Sequence, residues 1–433
     1  LKFELQEQLG KYPLVREIGS GATSSVYLAR DPLSQREVAI KVFLFDRDAD
    51  PQTERMKHKA FVAEASLAGK LNHPHIVEIL DAVVEPDHSY LVMEYVRGTT
   101  LESHASVSTL LPLHKVVEII FKCIRALEYA YQHGVIHRDI KPGNILLSHR
   151  GETKVSDFGA SFHRRHGHTT TQIAGIGSPA YMSPEQIRME PLTQQTDIYS
   201  LGITMYRLLT GRLPYEATTQ AALAYAILNA APEPPATLRP ELPPLLDQIV
   251  RKAISRDPAL RYRSWLEFGK ELSQAFTTLR LVGESVSDSE KFNELRNMPF
   301  FEDLGDVALW EVVRIGAWRT APPATVITRE GDESDSFFLL VKGEVRVTLQ
   351  AKQLATIKPG GCFGEIVYFA KANQRRTTTI TAACELTVIE IKAAALRAAT
   401  DALQAGFNKA VTRVLIERLD QTNRLLAEAI RRP

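Results

Sequence analysis

The sequence predicts an α+β chain in two parts: a small β-rich lobe leading into a large helical one, then a separate β-roll with flanking helices. Three observations predict it. Residues 12–45 carry short apolar and β-branched runs divided by turn residues, which read as strands. From 57 to 279 the dominant apolar spacing is helical. After a polar break at Gly283–Ser289, strand-like runs return at turn-punctuated intervals.

In the first lobe, Val38–Phe45 is a continuous apolar run, and Arg16–Leu28 is broken in its middle by Gly and Ser. The spacing over Lys57–Leu71 predicts a helix. Leu113–His133 predicts a long amphipathic one, with Val116, Val117, Ile120, Ile124, Leu127 and Ala130 on its inner side. A loop- and strand-rich stretch, 134–182, precedes further helices out to Leu279, punctuated by the Pro-rich Pro232–Pro244. Beyond the break, Ser336–Thr348, Gln353–Ile357 and Thr377–Lys392 read as strands, with helices over 290–316 and 393–431. The expected boundaries are therefore 12–279, a linker at 280–290, and 291–433.

Composition narrows the function classes. The 433 residues are 44% hydrophobic and 24% charged, the balance of an ordinary globular chain. Lys and Arg number 52 against 51 Asp and Glu, a net charge of +1 that gives no basic footprint for nucleic acid. The longest apolar runs fall short of the ~18–20 residues that span a bilayer. Cys123, Cys362 and Cys384 are odd in number and widely spaced, so neither a disulfide framework nor a zinc pattern is expected, and a reducing, cytoplasmic setting is. Leu1 rather than Met stands first, which leaves open what precedes it.

The chemistry concentrates in a few motifs. Ile18–Val26 reads IGSGATSSV, in which Gly19 and Gly21 would let backbone N–H groups approach phosphates. Ser24 stands where a third Gly would complete G-x-G-x-x-G. Lys41, in VAIK, is embedded in an apolar run and must snorkel out or meet an anion. His137–Asn144 reads HRDIKPGN, and Asp157-Phe158-Gly159 follows. With these blocks in this order, residues 12–279 resemble the eukaryotic-type protein kinases, and MSPEQ, TDIYSLG and LLTGRLPY resemble the bacterial Ser/Thr members. The resemblance implies a bilobal kinase fold, ATP and Mg²⁺, and protein substrates carrying Ser or Thr acceptors.

Phosphoryl transfer needs in-line placement and neutralisation of triphosphate charge more than covalent help. The resemblance makes Asp139 the acceptor of the substrate hydroxyl's proton, Lys141 the partner of the transferring phosphoryl group, and Asn144 and Asp157 the Mg²⁺ ligands. Lys41 would hold the α- and β-phosphates, steadied by a glutamate on the following helix, Glu64 in preference to Glu54. Ile18, Gly19, Ser20, Gly21, Ala22, Thr23, Ser24, Ser25 and Val26 would cover the nucleotide. Val26 and Ala39 would sandwich adenine, with Met93 as gatekeeper and Glu94–Val96 as hinge. Lys141 and Ser178 fit Ser/Thr rather than Tyr kinases. Glu185 is expected to pair with Arg261, and Asp197 to brace the catalytic loop. Arg138 before the catalytic Asp suits a kinase switched by loop phosphorylation, with Thr169, Thr170 and Thr171 as acceptors.

In the second part, PFFEDL, FFLLVKGEVRV, PGGCFGE (Pro359–Glu365) and RRTTTI (Arg375–Ile380) make residues 291–400 resemble a cyclic-nucleotide-binding domain. Gly364, Glu365 and Ile366 would form the turn around the ribose and cyclic phosphate. Glu365 would accept the ribose 2′-hydroxyl's proton and Arg376 would fork onto the phosphate, with Arg375 as its rival. Val367 replaces a small residue, and Thr377 replaces the common Ala and leans toward cGMP over cAMP. The last helix carries Phe407, Val411, Val414, Leu415, Leu419, Leu425 and Leu426 at helical spacing. Packing on the roll or capping its ligand is the favoured role, and a homodimer through this helix is the alternative. The resulting expectation is a Ser/Thr protein kinase regulated by cyclic nucleotide and by activation-loop autophosphorylation. Its rival is a catalytically weak nucleotide-binding scaffold whose roll is a docking module.

Overall fold

The computed structural model describes residues 8–20, 24–44, 61–62, 65–66, 69–85, 88–158, 179–279, 286–369 and 375–431. Alternation builds the first sheet. Strands β1 (Gln8–Leu9), β2 (Tyr12–Ser20), β3 (Ser24–Arg30), β4 (Glu37–Leu44), β5 (Ile79–Val84) and β6 (His88–Glu94) pair antiparallel in the order β1-β2-β3-β4-β6-β5. Tyr27 and Ala29 of β3, Val38, Ile40 and Val42 of β4, and Tyr90 and Val92 of β6 share one core. The period of two therefore sends Val26, Ala39, Lys41 and Met93 to the other face. A slip of one residue would bury Lys41 in the core, so the apolar face fixes the register of the functional one. Of the helix expected over 57–71, Phe61, Val62, Ala65 and Ser66 are helical, whereas Gly69 and Lys70 form a turn and Leu71 is irregular, so the helix does not reach Leu71.

The helical lobe is organised on α1 (Leu113–Gln132). All six residues expected on its inner side are buried. Strands β7 (Gly98–Thr100), β8 (Ile145–Ser148) and β9 (Thr153–Val155) form a small antiparallel sheet beside it. The helices that follow are α2 (Pro184–Ile187), α3 (Gln194–Thr210), α4 (Gln220–Asn229), α5 (Pro235–Leu238), α6 (Pro244–Ala253) and α7 (Trp265–Leu279). α3 and α7 pack on α1, and α6 packs on both α3 and α7. The chain divides into two compact units, Leu1–Glu284 and Ser285–Pro433.

The second unit opens inside the stretch expected to be linker. Ser287 caps α8 (Asp288–Arg296) in a reciprocal capping box with Glu290, so 288–290 are helical rather than linker. α9 (Asp306–Ile315) follows, and Phe292 stacks on its Trp310 at 4.4 Å. Eight strands then make two four-stranded sheets. One is ordered β10 (Ala317–Ala321), β17 (Leu386–Lys392), β12 (Ser336–Lys342), β15 (Cys362–Phe363). The other is β11 (Val326–Thr328), β16 (Thr379–Ala382), β13 (Val345–Leu349), β14 (Lys352–Ile357). Ala321, Phe338, Leu340, Val345, Phe363, Ile380, Ala382, Leu386 and Val388 form their shared core. The run read as one strand over Ser336–Thr348 is a hairpin. Gly343 turns it at φ +84, where a Cβ would meet the Glu385 carbonyl at 2.5 Å. Thr377–Lys392 likewise divides into β16 and β17.

After the short helices α10 (Ile366–Phe369) and α11 (Ala393–Arg397), the chain ends in α12 (Asp401–Arg431). Its first turns bury Leu403, Phe407, Ala410 and Val411. The Phe407 ring lies 4.7 Å from Phe337, 5.5 Å from Tyr368 and 5.6 Å from Phe300. This half of the helix packs on the roll.

Candidate functional site

In the first unit the site is a loop held by its backbone. Asp197, near the start of α3, accepts hydrogen bonds from the N–H groups of His137 and Arg138, both at 2.7 Å. Arg138 sits at φ +70, a conformation that disfavours any side chain. The two bonds to Asp197, and one from Gln186 Nε2 to the Arg138 carbonyl at 2.9 Å, hold it there. Burial pushes the Asp197 carboxyl above its ordinary range, with nearby His137 and the two backbone donors working against it. The imidazole of His137 meets the Ser156 carbonyl at 2.8 Å and packs on Phe158 at 4.6 Å. That contact ties the loop to the segment carrying Asp157.

The reactive groups meet within this frame. Lys141 Nζ lies 2.7 Å from Asp139 Oδ2, and Asn144 Nδ2 donates to the same oxygen at 3.0 Å and to the Asp139 carbonyl at 2.7 Å. The Asp139 carboxylate is thus oriented by two donors while its side chain stays 17% exposed. Because Asn144 uses its NH₂ on Asp139, its Oδ1 is the oxygen left to serve a cation. Lys41 Nζ lies 2.7 Å from Asp157 Oδ1, which joins β4 to the segment after β9. Burial raises the Asp157 carboxyl, and Lys41, His137 and Lys141 together more than offset it, so the net shift is downward. Asp157 itself holds φ +61. A carboxylate and a neutral amide oxygen are the hard donors Mg²⁺ takes, with phosphate and water completing its shell. Among the described residues, no group of three or more His, Cys, Asp or Glu is placed to hold a metal.

Of the residues expected to face the nucleotide, Val26, Ala39, Lys41 and Met93 share one side of the sheet. Val26 pairs across the ladder with Lys41, and Ala39 with Met93. Gly19 pairs with Val26 and Ser20 with Ser25, so Ile18, Gly19, Ser20, Ser24, Ser25 and Val26 flank the turn. Gly21, Ala22 and Thr23 at its tip lie outside the described residues, as do Glu64, Gly159, Thr169, Thr170, Thr171 and Ser178. Glu94 accepts from the Glu78 N–H at 2.9 Å and from Lys154 at 2.5 Å. Its side chain is committed to the fold, and its own N–H donates to the Glu78 carbonyl at 3.0 Å.

Farther into the lobe, Arg261 forks onto Glu185 at 2.7 and 2.9 Å, and both side chains are buried. This pair and the Asp197 brace stand where the motifs implied them.

The second unit carries a different site. Arg376 Nη2 donates to the Ser336 carbonyl at 2.7 Å, and its guanidinium lies over Phe338. Its Nη1 is buried with no hydrogen-bond partner. A buried donor without an acceptor is costly, and burial lowers the arginine's own pKa. An anion there would relieve both. Gly364, at φ +77, is required beside it, because a Cβ would collide with Arg376 Nη1. Arg375, the rival, is exposed and reaches the Gly331 carbonyl at 3.3 Å, so Arg376 is the better anion partner. Glu365 is buried and pairs with Arg418 of α12 at 2.6 Å. Ile366 opens α10, and Thr377 is exposed. Ser336 and Arg418 were not singled out by sequence reasoning. Arg418 continues the helix face of Phe407, Val411 and Val414, so a charge interrupting that apolar stripe was the one local signal, while its partner lies 53 residues away in the sequence.

A bilobal fold with this catalytic loop defines a class. More than half of the chain, residues 12–267, matches the family model described as protein kinase domain, and the chain belongs to that family. Residues 318–402 match the cyclic nucleotide-binding domain model. Among known proteins, the chain is 36% identical over 296 residues to "Serine/threonine-protein kinase PrkC" of Bacillus subtilis (strain 168), covering 68% of this chain and 45% of that one. It is 38% identical over 268 residues to "Serine/threonine-protein kinase PknB" of Mycolicibacterium smegmatis, covering 60% and 42%. A kinase of Streptomyces coelicolor, "Probable serine/threonine-protein kinase SCO3848", is 39% identical over 262 residues, covering 59% and 38%. The chain thus spans less than half the length of the relatives it matches. No helix among the described residues is long and apolar enough to cross a membrane.

Proposed function

We propose that this chain is an ATP-dependent protein Ser/Thr kinase whose second unit binds a cyclic nucleotide that regulates it. The observation that carries the catalytic half is the cluster Asp139–Lys141–Asn144, held on a loop braced by Asp197 and facing the Lys41–Asp157 pair. The substrate hydroxyl gives its proton to Asp139 as its oxygen bonds to the γ-phosphorus, and the bond to the β-phosphate oxygen breaks to release ADP. Lys141 moves from Asp139 toward the transferring group, and Lys41 from Asp157 toward the α- and β-phosphates. Asn144 and Asp157 would hold Mg²⁺, which supplies neutralisation of the phosphate charge when bound. Glu64 takes its place as partner of Lys41. Val26 and Ala39 bracket adenine, and the hinge at Glu94–Val96 fixes its edge.

In the roll, Arg376 takes the cyclic phosphate and Glu365 the ribose hydroxyl, with cAMP or cGMP as ligand. Phosphorylation at Thr169, Thr170 or Thr171 would give Arg138 a dianionic partner. A cytoplasmic setting suits a kinase that needs ATP and carries three free thiols. Asp139→Asn tests the catalytic half, because it keeps the shape and removes the base. Transfer to a generic basic protein and self-labelling within 169–171 should both vanish with the melting temperature unchanged. Near wild-type labelling in the variant would refute the assignment.

A further inference from the structure

A single side chain connects the last helix to the ribose end of the second site. Arg418 places Nη1 2.6 Å from Glu365 Oε1 and donates through Nη2 to the Cys362 carbonyl. One guanidinium therefore clasps both ends of the Cys362–Glu365 turn, the turn whose Gly364 lies against Arg376. The two arginines divide the labour. Arg376 keeps a buried Nη1 unpartnered, as a site awaiting an anion would, whereas both Nη atoms of Arg418 already donate to protein. Glu365 is only 4% exposed, and a polar group so buried needs its hydrogen-bonding capacity met, which Arg418 does at Oε1. With Arg418 on Oε1, Oε2 remains to accept the ribose 2′-hydroxyl.

The helix bearing Arg418 has little else to hold it there. Beyond Val411, none of the described side chains of α12 is buried, and Leu415, Ile416 and Leu419 are exposed at 41%, 57% and 61%. Polar anchors fasten this stretch: Arg413 to Glu302, Asp303 and the Pro299 carbonyl, and Arg418 to the turn.

We propose that Arg418 is a positioning residue for ribose recognition: it holds and aims the Glu365 carboxylate, so the 2′-hydroxyl is read through a contact made by the last helix. The inference rests on the reading of the roll as a cyclic-nucleotide site. By reciprocity, whatever the helix contributes to the ribose contact, the ribose contributes to the docking of the helix.

The test measures Kd of the full chain for cAMP and for 2′-deoxy-cAMP, with the guanine pair in parallel. Arg418→Gln should weaken binding of the ribonucleotide about tenfold or more, the scale of a lost charge-assisted bond. It should leave the 2′-deoxy affinity near wild type, so discrimination between the two collapses. Arg418→Lys, which can pair with Glu365 without also bridging to Cys362, should restore part of it. In an Glu365→Gln background, Arg418→Gln should add no further loss. Equal weakening of both nucleotides would make Arg418 a merely structural residue and overturn the proposal, as would unchanged discrimination. Absence of any cyclic-nucleotide binding by the wild-type chain would instead sink the reading of the site itself, and the proposal with it.

Discussion

Arg138 and Asp157 stand at φ +70 and +61, and such non-glycine positions each cost ~1–3 kcal/mol. Both lie where the phosphate-transfer groups converge, and each is held by a named partner: Asp197 for the first and Lys41 for the second. In the other unit the corresponding expense is the buried Nη1 of Arg376, left without an acceptor. If that group serves an anion, Arg376→Ala should lower affinity for a cyclic nucleotide roughly 10–150-fold, from a charge-assisted bond pair of ~1.5–3 kcal/mol. Calorimetry on the variant checks this, and an unchanged Kd would place the phosphate elsewhere. The Asp139–Lys141–Asn144 cluster was legible in the sequence because it falls within eight consecutive positions, His137–Asn144, a motif that carries the resemblance to the protein kinases. Choosing between Arg375 and Arg376 required burial, because only folding separates two adjacent guanidiniums. The pairing of Arg418 was not legible, because its partner is brought to it by the roll.

At the scale of elements, the helical lobe hangs on the buried Arg261–Glu185 fork. Arg261 also donates to the carbonyls of Ser255, Gln195 and Arg256 at 2.6, 2.9 and 3.0 Å, so it ties α2, the start of α3 and the segment after α6. Removing one partner leaves the other charge buried and uncompensated, which costs ~3–5 kcal/mol. Arg261→Ala should therefore lower the melting temperature by roughly 6–20 °C, read by calorimetry. A change within error would mean that water or rearrangement satisfies Glu185. The pair also sets an acid limit. Burial raises the Glu185 carboxyl, but Arg261 outweighs it, and the net value lies below the ordinary 4.5. The unfolded chain then takes up the proton first. The contribution of this group is full above about pH 4.5 and is lost as pH falls through the depressed folded value. Arg261→Ala should abolish that part of the acid sensitivity. Long elements such as α1 were legible from periodicity, because a buried face of five turns repeats its signal. β10 and β11 were missed, because five and three residues carry too little alternation. The linker was placed too far along, because Ser287 and Glu290 read as polar filler until the helix they cap is seen.

At the scale of the whole molecule, the account joins two units with separate ligands, ATP in one and a cyclic nucleotide in the other. Binding in the roll can alter phosphotransfer only if the nucleotide prefers one of two states that differ in activity. Couplings of this kind usually amount to ~1–3 kcal/mol, so severalfold to about a hundredfold changes are the scale expected. The most direct measurement is transfer of labelled γ-phosphate from ATP to a basic protein by the full chain, titrated with cAMP and cGMP, beside Asp139→Asn. The account predicts Ser/Thr labelling by the wild-type chain, none by the variant, and a saturable severalfold change in rate with one of the two nucleotides. Equal labelling by variant and wild type, or a rate that neither nucleotide alters while either one binds, would contradict it.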